Sequence, residues 1–286
     1  MATELDIRAQ QFSRNVVPLA QQDYSKFYSK VMQKSDVNAK SFSQDQIGLW
    51  AMSAKGGLNV DTPENDPNLQ RRWAYISTYH DARLLDRSVN LQILSDPKSE
   101  MTMNAARAIG RQLDDNIYAA ALGTAASGEN GGTSNTLPAG QIILNGGTNL
   151  TVAKIRQAGQ ILDDNDVDDY DRCAWISPDG VQSLLGDNQA TSSDFVNVKA
   201  LVNGMIDTFY GFNIVKSTRL TVAANIRQCV FYQRSGICAG TPEMLYIRTD
   251  ERNDKSYSWQ VYYELNVGTV RLEEEKVVRV DIDETA

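Results

Sequence analysis

The sequence predicts an α+β chain, and three observations predict it. Apolar residues recur every four positions through 105–121, helix and strand patterns alternate over 149–240, and a period-two alternation runs through 257–283. A chain of 286 residues suits one large domain or two ordinary ones. Apolar residues at 42% and charged residues at 22% are the balance of a folded protein, not a disordered one. The segment MATELDIRAQQF has neither the basic nor the apolar region of a signal peptide. No apolar run approaches the roughly 20 residues of a spanning helix, so a soluble chain made in the cytoplasm is expected.

Residues 1–46 are rich in Gln, Ser and Lys, and the spacing of Tyr24, Phe27, Tyr28 and Val31 allows one short amphipathic helix around 20–33. That is too little for a core, so the segment reads as an arm laid on another surface. Residues 47–86 read as a long hairpin. Two β-prone runs, 47–53 and 71–80, flank a polar tip holding Gly56, Gly57, Pro63 and Pro67. A lone two-stranded hairpin is marginal in water, and Trp50, Trp73, Tyr75 and Tyr79 leave it with aromatic surface to cover.

SDPKSEM opens a helix, with Asp96 as cap and Pro97 at the first helical position. The run AARAIGRQLDDNIYAAALGTAASG, residues 105–128, carries the stripe Ala105, Ile109, Leu113, Ile117 and Ala121. About 26 residues of helix would measure roughly 39 Å. Arg111 stands one turn from Asp114 and Asp115, where pairing would contribute only about 0.3–0.5 kcal/mol, so packing of the stripe must hold the helix. SGENGGTSN then reads as a flexible loop.

Over 149–240, TVAKIRQAGQILDD is an amphipathic helix capped by Thr151, and RCAWIS is a short buried strand. SPDGVQSLLGD is a helix opened by Ser177 and Pro178, and YGFNIVKST and QCVFYQR are further strands. In YSWQVYYELNVG, Tyr257, Trp259, Val261, Tyr263 and Leu265 alternate with polar positions. Val278, Val280 and Ile282 do so against Arg279, Asp281 and Asp283.

Chemistry-bearing motifs are scarce. The one histidine, His80, reads as a packed or surface residue, and histidine-based triads and metal sites lack their second member. The stretch DDNDVDDYD, Asp163–Asp171, fails the calcium-loop template: Asp169 stands where Gly is wanted and Trp175 where the bidentate Glu belongs. The glycine-rich stretches lack phosphate-loop patterns. Cys173, Cys229 and Cys238 form no CxxC pair and read as buried thiols. A net charge of −8 argues against a primary task of neutralising nucleic acid. Arg71 and Arg72 beside Trp73 are better read as half of an ion pair between subunits than as a nucleic-acid patch. No catalytic, cofactor-binding or metal-binding residue emerges.

The order of arm, hairpin, long helix, α/β unit and closing strands resembles the major capsid protein of tailed bacteriophages, the Hong Kong 97 type fold. The segment from Arg71-Arg72 through Arg111, Asp114 and Asp115, then WISPDGVQSLLGDNQATSSDF, YGFNIVKSTRL and GTVRLEEEKVVRVDIDE, is similar to that family. The resemblance implies an N-terminal arm at 1–46 and an extended loop at 47–87. It further implies a peripheral domain from 88–148 and 241–286, containing the spine helix, and an axial domain at 149–240.

It implies, further, a shell subunit that assembles with itself as pentamers and hexamers into the icosahedral head of a virion, around double-stranded DNA held without sequence specificity. Portal and possible scaffolding or decoration proteins would be its other partners, the host cytoplasm its site of assembly, and no membrane or cofactor would be involved. Trp50, Lys55, Arg71, Arg72, Trp73 and Tyr75 become candidate intersubunit contacts, and Arg111, Asp114 and Asp115 a charge cluster on the spine helix. Some relatives lock their shells by a Lys–Asn isopeptide bond. Lys55 is the one Lys placed for this, though a hairpin tip is also where Lys is ordinary. No long segment precedes the hairpin to act as a built-in scaffold, so a separate scaffolding protein, or none, is expected. The rival readings are an encapsulin-like nanocompartment shell and an enzyme of the α/β hydrolase or carboxylate-metal type, the latter using Asp163–Asp171.

Overall fold

The structure is a computed structural model, and it describes residues 21–35, 37, 39–86, 98–186, 208–243 and 245–285. In chain order, a single 3-10 turn at Tyr28–Lys30 leads into β1 (Met32–Lys34), β2 (Ser41–Ile47), β3 (Leu69–Tyr75) and β4 (Ser77–Leu85). Helix α1 (Lys98–Leu122) follows, then the short strands β5 (Ala125–Ser127), β6 (Thr133–Asn135) and β7 (Ile142–Ile143). Next come α2 (Val152–Asp164), β8 (Arg172–Ile176) and α3 (Pro178–Gly186). The chain closes with β9 (Thr208–Phe209), β10 (Phe212–Lys216), β11 (Val222–Ala223), β12 (Ile226–Gln233), β13 (Ile237–Gly240), β14 (Tyr246–Arg252), β15 (Ser258–Arg271) and β16 (Val277–Asp283). The mixed α+β class expected from the sequence is the one found.

Contacts divide the chain into two compact units. One holds the residues up to Ser25 with Thr78–Gln112 and Glu243–Asn266, and the other holds Lys26–Ser77, Leu113–Pro242 and the chain from Val267 onward.

In the first unit, β4 and β14 both pair with β15. The expected alternation in β15 is met at Val261 and Leu265, which are buried, but Ser258 is buried too, Trp259 and Tyr263 are half-buried, and Tyr257, just before the strand, is 60% exposed. Ala105 and Ile109 of α1 are buried. Arg107 pairs with Asp23 at 2.6 Å, and Arg111 Nη1 donates to Gln21 Oε1 at 2.5 Å. Tyr263 Oη donates to Asp81 Oδ2 at 2.7 Å, and this bond, aided by the Ala82 amide, holds the Asp81 carboxyl below its ordinary range.

The second unit contains a seven-stranded sheet ordered β7-β16-β12-β8-β10-β9, with β11 beside β12. All five residues of β8 are buried, and Val230, Phe231 and Tyr232 of β12 have no exposure. Strands covered on both faces read as continuous apolar runs, which is why RCAWI and CVFY carry no alternation. Both flanking helices begin at the expected caps. Thr151 Oγ1 accepts from the Lys154 amide at 3.4 Å, and Ser177 Oγ from the Gly180 amide at 3.0 Å.

In the closing strand Val278, Val280 and Ile282 are buried as expected, but so is Asp281, at 5% exposure. Its backbone carbonyl helps to hold Lys154. That lysine's Nζ donates to the carbonyls of Asn145, Thr148, Asn149 and Asp281 at 2.7–3.2 Å. Burial lowers its pKa from the ordinary lysine value. The Gly146-Gly147 connection is thereby tied at both ends.

Two expectations, one strand and one helix, are corrected. The first hairpin strand is Ser41–Ile47, not 47–53, and it pairs antiparallel with β3 from Ser41↔Tyr75 to Ile47↔Leu69. Phe42 anchors it: it is buried with Val37, Ala74, Ala125, Cys238, Val270 and Leu272. Gly240 permits this approach, since a Cβ there would lie 2.4 Å from the Phe42 ring. The helix expected around 20–33 is replaced by the 3-10 turn and β1, which runs parallel to β13. Phe27 has no exposure and stacks on Trp175 with centroids 4.2 Å apart, and Val31 is equally buried. Burial of these two side chains, four residues apart, is compatible with an extended strap as well as with a helix, and tertiary packing decides between them.

Helix α1 has 25 residues, roughly 38 Å, close to the expected length. Its stripe is buried throughout: Leu113, Ile117 and Ala121 have no exposure. The Asp96–Pro97 cap lies outside the described residues. The tail of the run is not helical, because Ala125–Ser127 forms β5 and pairs with β3 at Arg72↔Ser127 and Trp73↔Ala126.

Candidate assembly interface

Between β2 and β3 the chain has no regular structure, and every residue from 49 to 70 is exposed. Leu49 and Met52 are at full exposure, Leu58 at 94% and Trp50 at 74%. An ordinary surface loop carries isolated apolar residues. This one carries four large ones within ten positions, with Ile47 and Leu69 also exposed at its base. Lys55 lies in the same exposed loop and Tyr75, at 56% exposure, at the end of β3.

The base of the hairpin is built differently. Arg71 pairs with Asp45 across the strands, Nε to Oδ1 at 2.5 Å and Nη2 to Oδ2 at 3.0 Å. Its guanidinium sits 5.8 Å from the Trp73 ring centroid. This fork holds the Asp45 carboxyl below its ordinary range. Arg72 turns inward and is 3% exposed, with Nη2 donating to Glu274 Oε2 at 2.5 Å. Arg271, with no exposure, lies 3.7 Å from the other Glu274 oxygen. Its guanidinium also caps the end of α1, donating to the carbonyls of Ala121 at 2.9 Å and Gly123 at 2.6 Å, and to Asn135 at 3.0 Å. Burial, and then the neighbouring Arg72, press its pKa downward against the pull of Glu274.

Trp73 donates its indole N–H to the Gly128 carbonyl at 2.9 Å. Gly131, at φ +72°, lies against Trp73 and Tyr75, and a side chain there would run into the Tyr75 hydroxyl. The SGENGGTSN stretch, read from sequence as a flexible loop, instead turns between β5 and β6 and packs on the hairpin base through Gly128 and Gly131. Arg71, Arg72 and Trp73 therefore have partners inside the chain, whereas Trp50, Lys55 and Tyr75 present exposed surface.

The three spine-helix residues diverge. Arg111 reaches Gln21. Asp115 is held by a bidentate bond from Arg219, with Nε to Oδ1 at 2.6 Å. Asp114 has no exposure and accepts from the backbone amides of Lys26 at 3.0 Å and Phe27 at 3.1 Å. Sequence reasoning missed the burial of Asp114 and the whole Arg72–Glu274–Arg271 group. The only signal was position, since Asp114 directly follows Leu113 of the apolar stripe.

The acidic stretch folds around Arg172, which is 5% exposed. Arg172 pairs with Asp163 at 2.7 Å and Asp169 at 3.0 Å and donates to the Asp168 carbonyl at 3.0 Å. Its carboxylates thus serve a turn. Among the described residues no three His, Cys, Asp or Glu side chains are grouped to hold a metal ion, and no helix is long and apolar enough to cross a membrane.

Buried charges paired inside the chain, beside a long exposed loop that carries four large apolar side chains on a braced base, are the features of a subunit built for assembly. The model of the phage capsid protein family matches residues 6–284, and the chain belongs to that family. It is a major capsid protein, and its place is the icosahedral head of the virion. The structure is similar to that of the capsid of cyanophage P-SCSP1u, at 16% identity, covering 96% of this chain and 93% of that one with a TM-score of 0.74. It is similar also to a Mycobacterium phage Che8 structure, at 13% identity, 98% of both chains and a TM-score of 0.73. The cyanophage Pam1 capsid likewise matches, at 12% identity, 99% of both chains and a TM-score of 0.73. No curated protein gives a sequence match.

Proposed function

We propose that copies of this chain gather as pentamers and hexamers and close a shell around double-stranded DNA, held without sequence specificity. Residues 1–46 serve as the arm, 47–87 as the extended loop, 88–148 with 241–286 as the peripheral domain, and 149–240 as the axial domain. The chain performs no catalytic step. It meets a portal at one vertex, with scaffolding or decoration proteins as further partners, and it assembles in the host cytoplasm.

The observation that carries this reading is the uninterrupted exposure of residues 49–70 with Leu49, Trp50, Met52 and Leu58 among them. Apolar surface of this kind is stabilised by burial against another molecule. A net charge of −8 suits a wall past which densely packed DNA must slide. Lys55 and Tyr75 stand on the same loop and base and are assigned to the contact with a neighbour.

The test is expression of the full chain, followed by sedimentation and negative-stain imaging, beside Trp50→Ser. Wild-type chains should give closed particles or capsomers. Trp50→Ser should leave the unfolding free energy of the isolated subunit unchanged within about 0.5 kcal/mol, as for an exposed site, while particle yield collapses. Equal particle yield from the two proteins would refute the assignment of this loop.

A further inference from the structure

Lys154 stands in the first turn of α2, where a lysine ordinarily reaches water, yet it is 8% exposed. Four backbone carbonyls converge on its ammonium: Asn145 at 2.8 Å, Thr148 at 2.7 Å, Asn149 at 3.1 Å and Asp281 at 3.2 Å. An ammonium has three N–H donors, so four acceptors exceed what it can satisfy one to one. A set of carbonyls gathered round a point charge is the geometry of ion coordination. Three of the four come from one turn, which curls because Gly146 and Gly147 both take positive φ, +56° and +67°. The fourth comes from β16.

The cage is braced by bonds that do not involve the lysine side chain. Thr148 donates its amide and its hydroxyl to the Asn145 carbonyl at 3.1 and 3.0 Å, and the Asp283 amide donates to the Thr148 carbonyl at 3.1 Å. Asn149 Oδ1 accepts from the Leu150 amide while its Nδ2 donates to Asp179 Oδ2, each at 2.7 Å. Just before the turn, β7 pairs with β16 at Val280↔Ile143. The surroundings favour a cation, because the charges of Asp281 and Asp283 act on the ammonium. Asp281 is itself 5% exposed, with one carboxylate oxygen 3.0 Å from Arg279 Nη2 and the other without a hydrogen-bond partner among the described residues.

We propose that the carbonyls of Asn145, Thr148, Asn149 and Asp281 form a monovalent-cation site, which the chain fills with its own Lys154 ammonium and which takes a potassium-sized cation when that ammonium is removed. Oxygen distances of 2.7–3.2 Å suit potassium or ammonium, and exceed the roughly 2.0–2.1 Å of magnesium and 2.3–2.6 Å of calcium. The donors are neutral carbonyls, the set that replaces the hydration shell of potassium in channel filters, whereas calcium and magnesium sites enlist carboxylates. In the native chain the tethered ammonium joins α2, the turn and β16 with a charge that cannot diffuse away, so their junction is independent of salt composition. The site belongs to the folded subunit and does not depend on assembly.

The experiment is urea unfolding of the unassembled full chain, wild type beside Lys154→Ala and Lys154→Met. The chloride salts of potassium, ammonium, lithium, tetramethylammonium, magnesium and calcium are compared at equal ionic strength. Lys154→Ala opens room for an ion, whereas Lys154→Met fills the space of the stem without a charge. Relative to wild type in the same salts, the unfolding equilibrium constant of Lys154→Ala should be about tenfold or more lower in potassium or ammonium than in tetramethylammonium. It should fall further as potassium rises, as for a ligand bound only by the folded state. Lys154→Met should vary by less than about twofold across the same salts. Thallium(I), followed by NMR, should bind Lys154→Ala at a single saturable site, be displaced by potassium, and leave wild type unbound. Equal instability of Lys154→Ala in every salt overturns the proposal and makes the lysine a hydrogen-bonding brace only. Full stability of that variant without potassium overturns it too, as does restoration by magnesium or calcium in place of potassium. If Lys154→Ala does not fold on expression, refolding from urea in each salt decides: recovery in potassium or ammonium alone supports the site, and failure in all of them overturns it.

Discussion

Replacing Glu274 by Gln should destabilise the subunit far more than the loss of one surface ion pair would. The carboxylate has a side-chain exposure of 11%, and it faces Arg72 at 4% and Arg271 at none. Two unit charges about 4 Å apart attract by about 4 kcal/mol at an effective dielectric of 20. Much of that is offset by desolvation of the three groups, so the triad adds little net stability over an apolar replacement. Removing only the anion is another matter, because two buried guanidiniums would then share a site without a counter-charge. The expected loss is about 3–5 kcal/mol, a large part of the roughly 5–15 kcal/mol that holds a typical domain.

The assay is urea unfolding of the unassembled subunit, followed by far-UV circular dichroism, for Glu274→Gln, Arg72→Met and the double variant. The double variant should lose less than the sum of the singles, with a coupling of about 1–3 kcal/mol, because Arg72→Met relieves part of the repulsion that Glu274→Gln creates. A loss below about 1 kcal/mol in Glu274→Gln, or a coupling near zero, would show that the group is solvated and that the hairpin base is braced by something else.

Two further outcomes are expected. Ile117→Asp places an unpaired carboxylate at a position of α1 with no exposure and should cost about 4 kcal/mol or more, read as loss of soluble folded subunit rather than loss of assembly. A soluble, folded variant would refute the packing of the stripe. Stability should also fall at alkaline pH. Burial pushes Cys229 from 9.0 up to about 12 and Cys238 from 9.0 up to about 11, so the folded state keeps protons that the unfolded chain releases. Stability contributed by these thiols is fully present below pH 9.0 and is lost as pH rises toward their folded values, by about 1.4 kcal/mol per pH unit for each. Between pH 8 and 10 the unfolding free energy should drop by about 2–3 kcal/mol, and a Cys229→Ala/Cys238→Ala variant should show a shallower slope, whatever its absolute stability. An unchanged slope in that variant would reassign the alkaline loss to other groups, such as Tyr118 and Tyr232, which burial also raises.

Elements that bury an apolar face were legible because burial leaves a period in the sequence. The stripe of α1, the runs RCAWI and CVFY and the caps Thr151 and Ser177 were all read at their observed places. The first hairpin strand was not, since SFSQDQI has one buried side chain, Phe42, and no alternation to recognise. Its strand character comes from pairing with β3, a contact across more than twenty residues that no local pattern encodes. The buried charges were illegible for a related reason. Arg72, Arg271 and Glu274 look like solvated residues on their own elements, and Asp114 looks like half of an i,i+3 pair with Arg111. Only the tertiary arrangement gives each a buried partner. The exposed loop was half legible: its composition announced a polar tip, but the isolation of Leu49, Trp50 and Met52 from any core became visible only with the fold.

That contrast between base and loop bears on how assembly stays correctable. Burying Leu49, Trp50, Met52 and Leu58 against a neighbour would gain about 1.5–3 kcal/mol for each side chain before costs. Association and the ordering of a loop of 21 residues consume several kcal/mol of that gross gain. A single loop contact is therefore weak, and a misplaced subunit can leave. In the proposed shell each subunit would both give and receive such a loop and would be held at several contacts at once, so release would require all of them to open together. The rigid base makes the difference between the two regimes. Because Arg72, Glu274 and Arg271 fix where the loop departs, the second and later contacts do not have to reorder the hairpin, and weak pairwise affinity converts into a stable lattice only when the neighbours are correctly placed.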